Sequence, residues 1–284
     1  MNAIEGWLAR LPIQRFRDPP PVVTVLRLHG VIGRVGPVGM GLALARLEKS
    51  IDRAFAARHL KTVVLSINSP GGSPVQSALI AGRIRQLADE KDIPVVAFAE
   101  DVAASGGYWL ACAADEIFAD PNSIIGSIGV VSSGFGFPEA LDRLGIERRV
   151  HTSGRRKGML DPFRPEAPED IARLKSIQAD IHESFRNHVR ERRGDKLAAP
   201  DAELFEGDIW TGSQALSLGL VDGLGDQRSV LRRLFGERVR IRTVGPSGGM
   251  LRRWFGGGSA GIDGKVAGML AALDEWSQWK RFGL

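Results

Sequence analysis

Residues 101–109 read DVAASGGYW and follow an apolar run at 95–98. A serine placed where such a run gives way to small residues stands at the end of a strand as the chain turns into a helix. Ser105 occupies that place, and Gly106 and Gly107 behind it leave backbone N–H groups uncovered. A hydroxyl beside bare N–H groups is what nucleophilic acyl chemistry needs: an attacking oxygen, and donors for the oxyanion it creates. An isolated A-S-G-G is equally the way a serine caps a helix in a glycine-rich turn. The choice between these readings rests on partners elsewhere in the chain.

The first partner required is a base, because a serine hydroxyl attacks only as its proton leaves. Histidine is the first type to test. His59, His182 and His188 lie in or beside charged helical segments, the usual setting of solvated histidines. His29 and His151 fall at expected strand ends, from which a side chain can point into a cleft, but neither has a local signature. A Ser-His-Asp triad therefore stays open. Lysine is the alternative, since desolvation and neighbouring cations both favour its neutral amine. Lys157 follows Arg155 and Arg156 in the aperiodic loop 153–168, a long connection of the kind that often carries function. Taken alone it is a basic loop.

The elements that must position these groups alternate. Buried strands are expected at 22–28, 62–67 and 94–99, with helices at 41–58 and 74–90 between them. A short strand at 116–119 and a glycine-rich turn at 121–131 follow, then a helix at 138–144 and a strand at 147–152. An amphipathic helix covers 168–193, with apolar residues from Ile171 to Val189 in a narrow stripe. Residues 208–225 read as strand, helix and turn, and a helix at 227–235 and a strand at 238–244 close the domain. Such alternation implies a parallel sheet with crossover helices. Residues 1–21 form an amphipathic arm, and 246–284 a glycine-rich linker followed by an amphipathic helix.

Composition narrows the class. The chain has 284 residues, 43% of them hydrophobic and 25% charged, which is ordinary for a globular protein. Its one cysteine, Cys112, excludes an internal disulfide framework and any cysteine-rich zinc site, and reads as a small buried hydrophobe. The net charge of +5 comes without an aromatic-interleaved basic motif, so it fits a solvated face or an anionic membrane surface better than nucleic acid. With no run of ~20 apolar residues and no signal peptide, a cytoplasmic location is expected.

Taken together, SPGG at 69–72, ASGGY at 104–108, GSIGV at 126–130 and SGRRKG…PFRP at 153–165 resemble the signal peptide peptidase A family of Ser-Lys serine proteases. WTGSQALSLGLVDGLG at 210–225 is similar to a later signature of that family. The resemblance runs over 22–245 and implies an α/β, ClpP/crotonase-like fold of repeated β-β-α units, forming a single catalytic domain between amphipathic terminal arms. It implies Ser105 as nucleophile, Lys157 as general base, and Ser127 as the residue that orients the lysine amine. Gly71, Gly72 and Gly106 would donate N–H groups to the oxyanion, with Tyr108 structural. Neither metal nor cofactor is implied. The implied substrates are extended peptides, signal-peptide remnants or unfolded segments, bound in an apolar cleft. The resemblance further implies a homo-oligomer in which serine and lysine come from neighbouring protomers, with 171–189 as an interface helix. Many members carry an N-terminal membrane anchor, which is not expected from this sequence; its arms suit a peripheral membrane contact instead. Two other readings remain: a crotonase-like acyl-CoA enzyme, which needs a carboxylate near the oxyanion turns, and a membrane-surface scaffold, which needs none of Ser105, Ser127 and Lys157.

Overall fold

Strands β1 (Val22–His29), β2 (Leu60–Ser69) and β3 (Val95–Ala104) are runs of β-branched and small apolar residues with few polar interruptions. Strands of this kind are covered on both faces. In the computed structural model, which describes residues 19–33, 41–154, 156–245 and 279–282, they pair in parallel, with Val64 of β2 between Val25 and Val96. The eight-stranded sheet runs β6 (Ile209–Thr211), β5 (Ile124–Gly126), β3, β2, β1, β8 (Arg240–Val244). A branch formed by β4 (Glu116–Ala119) also pairs with β3 and carries β7 (Gly223–Leu224). Every ladder is parallel except β5 with β6.

Parallel neighbours need crossovers, and helices supply them. Helix α1 (Leu44–Ala54) joins β1 to β2, α2 (Pro74–Lys91) joins β2 to β3, and the short α3 (Gly106–Ala111) follows β3 directly. Ser73 caps α2 by accepting from Gln76 N at 3.4 Å, Pro74 supplies a pre-set first residue, and Asp92 ends the helix in the left-handed region. Further along come α4 (Pro138–Arg143), α5 (Pro168–Arg193), α6 (Asp201–Leu204), α7 (Gly212–Ser217) and α8 (Gln227–Phe235).

Alternation along the strands builds two cores. Leu26, Leu28, Leu65, Ile67, Ala97 and Ala99 face the larger one with α1, α2 and α3. Val23, Val25, Val64, Val96 and Phe98 face a smaller one that Val230 and Leu231 of α8 help to close. Helix α5 buries only Phe185, Val189 and Arg193, so its first half stands clear of the core. Among the described residues no helix is long and apolar enough to cross a membrane.

Three sequence expectations change. Residues 147–152 form no strand and all six are exposed; they pair with no strand of the sheet, and Arg148 and Arg149 turn to the carboxylates of Asp161 and Glu147 instead. Strand β3 continues past 99 to Ala104, and Asn68 of β2 holds the extension by accepting from Val102 N at 3.3 Å. The stretch 121–131 contains β5, three residues that pair with β3 on one side and β6 on the other. The arms expected at 1–21 and 246–284 lie outside the described residues, apart from 19–21 and 279–282.

Candidate active site

Strand β3 ends at Ala104 and α3 begins at Gly106, so Ser105 is the whole joint between them. Its φ of 51° and ψ of −121° lie where a residue with a Cβ is held only by its surroundings. Ser105 N donates to Gly126 O at 2.7 Å, and Ser105 O accepts from Trp109 N at 3.0 Å. The two following glycines let the first turn of α3 press against its neighbours. A Cβ on Gly106 would lie 2.5 Å from Ser77 Oγ, and one on Gly107 2.5 Å from Ser69 O.

The SPGG turn is wrapped around Ile32, whose N–H donates to Gly71 O at 2.7 Å and whose carbonyl accepts from Ser73 N at 2.8 Å. Gly71 N donates to Ser69 Oγ at 3.2 Å, so that N–H is already engaged. The N–H groups of Gly72 and Gly106 make no hydrogen bond among the described residues, the second because a helix leaves its first N–H groups unpaired. They are close neighbours, since a Cβ on Gly106 would come 3.4 Å from Gly72 N. Two free donors thus stand beside Ser105, one from each glycine motif. Gly71 contributes proximity: a Cβ there would lie 2.7 Å from Ser105 Cβ and 3.0 Å from Gly106 N, at a φ of 109°. Gly71→Ala is therefore expected to lower kcat/KM about 100-fold, as a displaced reacting group does, and stability by about 1–3 kcal/mol. Peptide kinetics and a thermal melt check both; a fully active variant would refute the close-packing account.

Ser127 follows β5 with a φ of 52° and is held by its N–H, which donates to Asp208 O at 2.6 Å. Ser105, Gly72 and Ser127 line one cavity of about 620 Å³, walled by apolar residues including Ile32, Pro70, Val130 and Val131. Lys157 does not line it: the lysine is exposed, in a loop turn where its N–H donates to Gly154 O at 3.1 Å. Two further cavities, of about 390 and 770 Å³, lie within 132–174 and hold Asp161 and Arg164 but not Ser105.

No histidine lines the Ser105 cavity among the described residues. His29 bonds Ser66 Oγ at 3.0 Å, and His182 meets Ile128 O at 3.2 Å. His188 stacks on Trp109 and bonds its carbonyl at 3.1 Å, and burial lowers the affinity of its ring for a proton. His151 is exposed on the segment that forms no strand. Tyr108 is structural: fully buried, it donates to Leu220 O at 2.8 Å. Cys112 is buried as expected, and desolvation pushes its thiol up to about 12.

Sequence reasoning did not find two groups. Glu206 and Gly207 line the Ser105 cavity beside Ser127 and carry no motif signal. Asp222 was visible inside the 210–225 signature but without a role. Its carboxylate accepts from Arg193 at 2.6 Å, from Lys196 at 2.8 Å and from Ile117 N at 2.8 Å, clasping the end of α5 to β4.

Peptidase family S49 matches residues 88–238, more than half of the chain, and the NfeD1b N-terminal domain matches 36–136. A Na(+)/H(+) antiporter NhaA of Brucella abortus is 49% identical over 294 residues, covering 99% of this chain and 40% of its own length. The chain thus spans about two fifths of that relative. A putative protease, slr0021, of Synechocystis is 34% identical over 236 residues, covering 76% of this chain and 84% of its own length. Among solved structures, a mutant of the 1510-N membrane-bound stomatin-specific protease in complex with a substrate peptide superposes with a TM-score of 0.51 at 15% identity. That match covers 90% of this chain and 100% of the other, and shows a shared fold. The sheet with its crossover helices is the ClpP/crotonase-like α/β fold, and the chain belongs to peptidase family S49, the signal peptide peptidase A-like serine proteases.

Proposed function

We propose that the chain is a serine endopeptidase with a Ser-Lys dyad that cleaves extended peptides, signal-peptide remnants or unfolded segments. The observation that carries this reading is the joint at Ser105, a serine at positive φ with the free N–H groups of Gly72 and Gly106 beside it. Ser105 Oγ attacks the peptide carbonyl carbon while its proton passes to the amine of Lys157. The tetrahedral oxyanion accepts from Gly72 and Gly106, each donor lowering the barrier by ~3 kcal/mol. Collapse breaks the C–N bond, and the leaving amine takes the proton from Lys157. Water then attacks the acyl-serine ester while Lys157 accepts its proton, and as the ester C–O bond breaks that proton passes to Ser105 Oγ, restoring the hydroxyl. Ser127 Oγ, in the same cavity, accepts from the lysine amine and turns its lone pair toward Ser105.

Lys157 acts from a second copy of the chain on this reading. Its exposure and its place outside its own cavity support that. So does the apolar surface of the segment 131–163, where the exposed Phe137 lies in tilted contact with Phe135 and with Phe163, and Val131, Leu144 and Ile146 are exposed as well. Apolar exposure on this scale marks a contact surface. Mixing Ser105→Ala with Lys157→Ala, each inactive alone, should restore about a quarter of wild-type activity if protomers mix at random. Activity that stays at background in the mixture would place both groups in one chain.

Val31, Ile32, Pro70, Pro74, Val130 and Val131 give the cavity apolar walls suited to an extended apolar segment. The net charge of +5 supports a peripheral contact with an anionic membrane. The acyl-CoA reading gains nothing, because the carboxylate in the cavity, Glu206, belongs to the segment bonded to Ser127 and not to the oxyanion turns. A fluorophosphonate probe tests the assignment directly. It should modify Ser105 in the wild type, found by peptide mass mapping, and cleavage of a fluorogenic peptide panel should stop in step. Cleavage that persists after full modification would overturn the assignment.

A further inference from the structure

The Ser105 cavity is lined by four serines as well as by valine, isoleucine, proline and glycine, and among the described residues it holds one carboxylate. Glu206 lines it, is exposed, and makes no hydrogen bond or ion pair among the described residues. Its position is set by backbone. Ser127 N donates to Asp208 O at 2.6 Å, and Gly207 Cα would come 3.2 Å from a Cβ on Gly129. Gly207, at a φ of 91°, turns the chain between them. The segment 206–208 therefore moves with 127–129, and Glu206 belongs to the same wall as Val130 and Val131.

An unpaired carboxylate beside aliphatic surface complements one kind of side chain: a cation on an apolar stem, as in lysine or arginine. The other charged residue lining the cavity is itself such a group, Arg281 of this chain. We propose that Glu206 forms a subsite for a lysine or arginine side chain of the bound peptide, so that the enzyme selects apolar segments carrying a basic residue. The proposal rests on the peptidase reading above and adds a substrate class to it. The stem lies along Val130 and Val131 while the cation meets Glu206. The subsite is distinct from the scissile bond, because Ser105 and the two free N–H groups come from the other motifs.

The test uses full-length protein and matched fluorogenic peptides carrying lysine, arginine, norleucine or glutamate at each position around the cleavage site. At one position the wild type should cleave lysine and arginine peptides about fivefold better than norleucine, the range expected of a solvent-accessible ion pair. Added salt should shrink that preference. Glu206→Gln should bring the ratio of lysine to norleucine kcat/KM down to about one, and Glu206→Lys should favour glutamate instead. Two results would overturn the proposal. One is a wild type with no basic preference at any position, or a preference unchanged in Glu206→Gln. The other is a Glu206→Gln variant that loses activity equally on all peptides with a shifted pH profile, which would make Glu206 a neighbour of the base. Fluorophosphonate modification of Ser105 is run alongside. A protein that is modified and cleaves without basic preference refutes this subsite alone, whereas one that is never modified refutes the peptidase reading first.

Discussion

Ser105→Ala should lower kcat/KM on every cleaved peptide by about 10⁴-fold or more, the scale of losing a catalytic nucleophile. Its melting temperature should stay within about 2 °C of wild type, because alanine bears the same backbone strain as serine. The proposed oxyanion donors are backbone groups of Gly72 and Gly106 and survive the substitution, so the residual rate measures what they contribute without an attacking oxygen. Ser105→Gly separates the two roles of this residue. It should be equally inactive, yet more stable by about 1 kcal/mol, since glycine occupies a φ of 51° without a Cβ penalty. Steady-state kinetics and thermal melts of the three proteins decide it. A Ser105→Ala protein retaining a tenth of the wild-type rate would end the nucleophile assignment.

Asp222→Ala should cost about 3–5 kcal/mol and lower the melting temperature by about 6–20 °C, because it strands the buried guanidinium of Arg193. Arg193 is only 3% exposed. It spends its remaining donors on Gly219 O, at 3.0 Å from Nε and 2.7 Å from one terminal nitrogen. Removing both charges with Arg193→Met in the Asp222→Ala background should recover part of the loss, a non-additivity expected of residues in contact. The acid side provides a second reading. Desolvation raises the Asp222 pKa, but hydrogen bonds from Arg193, Lys196 and Ile117 N outweigh it and hold the carboxyl below its usual range. A depressed carboxylate contributes stability that is fully present above its unfolded pKa of about 3.9 and is lost as pH falls through the folded value. Below that value the wild type and Asp222→Ala should therefore converge. A loss under 1 kcal/mol at neutral pH would mean that the clasp does not hold α5.

The central sheet was legible because β1, β2 and β3 are written as long apolar runs that only a doubly covered strand tolerates. Strand β5 was not, since three residues ending in Gly126 carry too little pattern to separate from a turn, whereas β6 was expected at the start of 208–225. The run 147–152 carries a strand-like pattern, but a strand needs a partner to pair with, and this segment pairs with none. Ser105 stands out as a candidate from its own neighbourhood, because a nucleophile turn needs its glycines in sequence, but only the motifs elsewhere in the chain separate it from a helix cap. The engagement of Gly71 N–H by Ser69 Oγ could not, because it depends on where one hydroxyl points. Glu206 was hidden for a related reason: it meets the cavity only through the backbone bond between Ser127 and Asp208, residues remote in sequence.

The exposed loop that carries Lys157 has a consequence for how such an enzyme is made. A peptidase endangers its surroundings while it is being synthesised, and many are kept silent by a segment that must later be cut away. On the proposed arrangement no such segment is needed. A newly folded single copy holds an attacking serine and two waiting N–H groups but no base within reach, and is inert by construction. Meeting its own kind takes the place of maturation, and falling concentration returns the enzyme to silence without any covalent change.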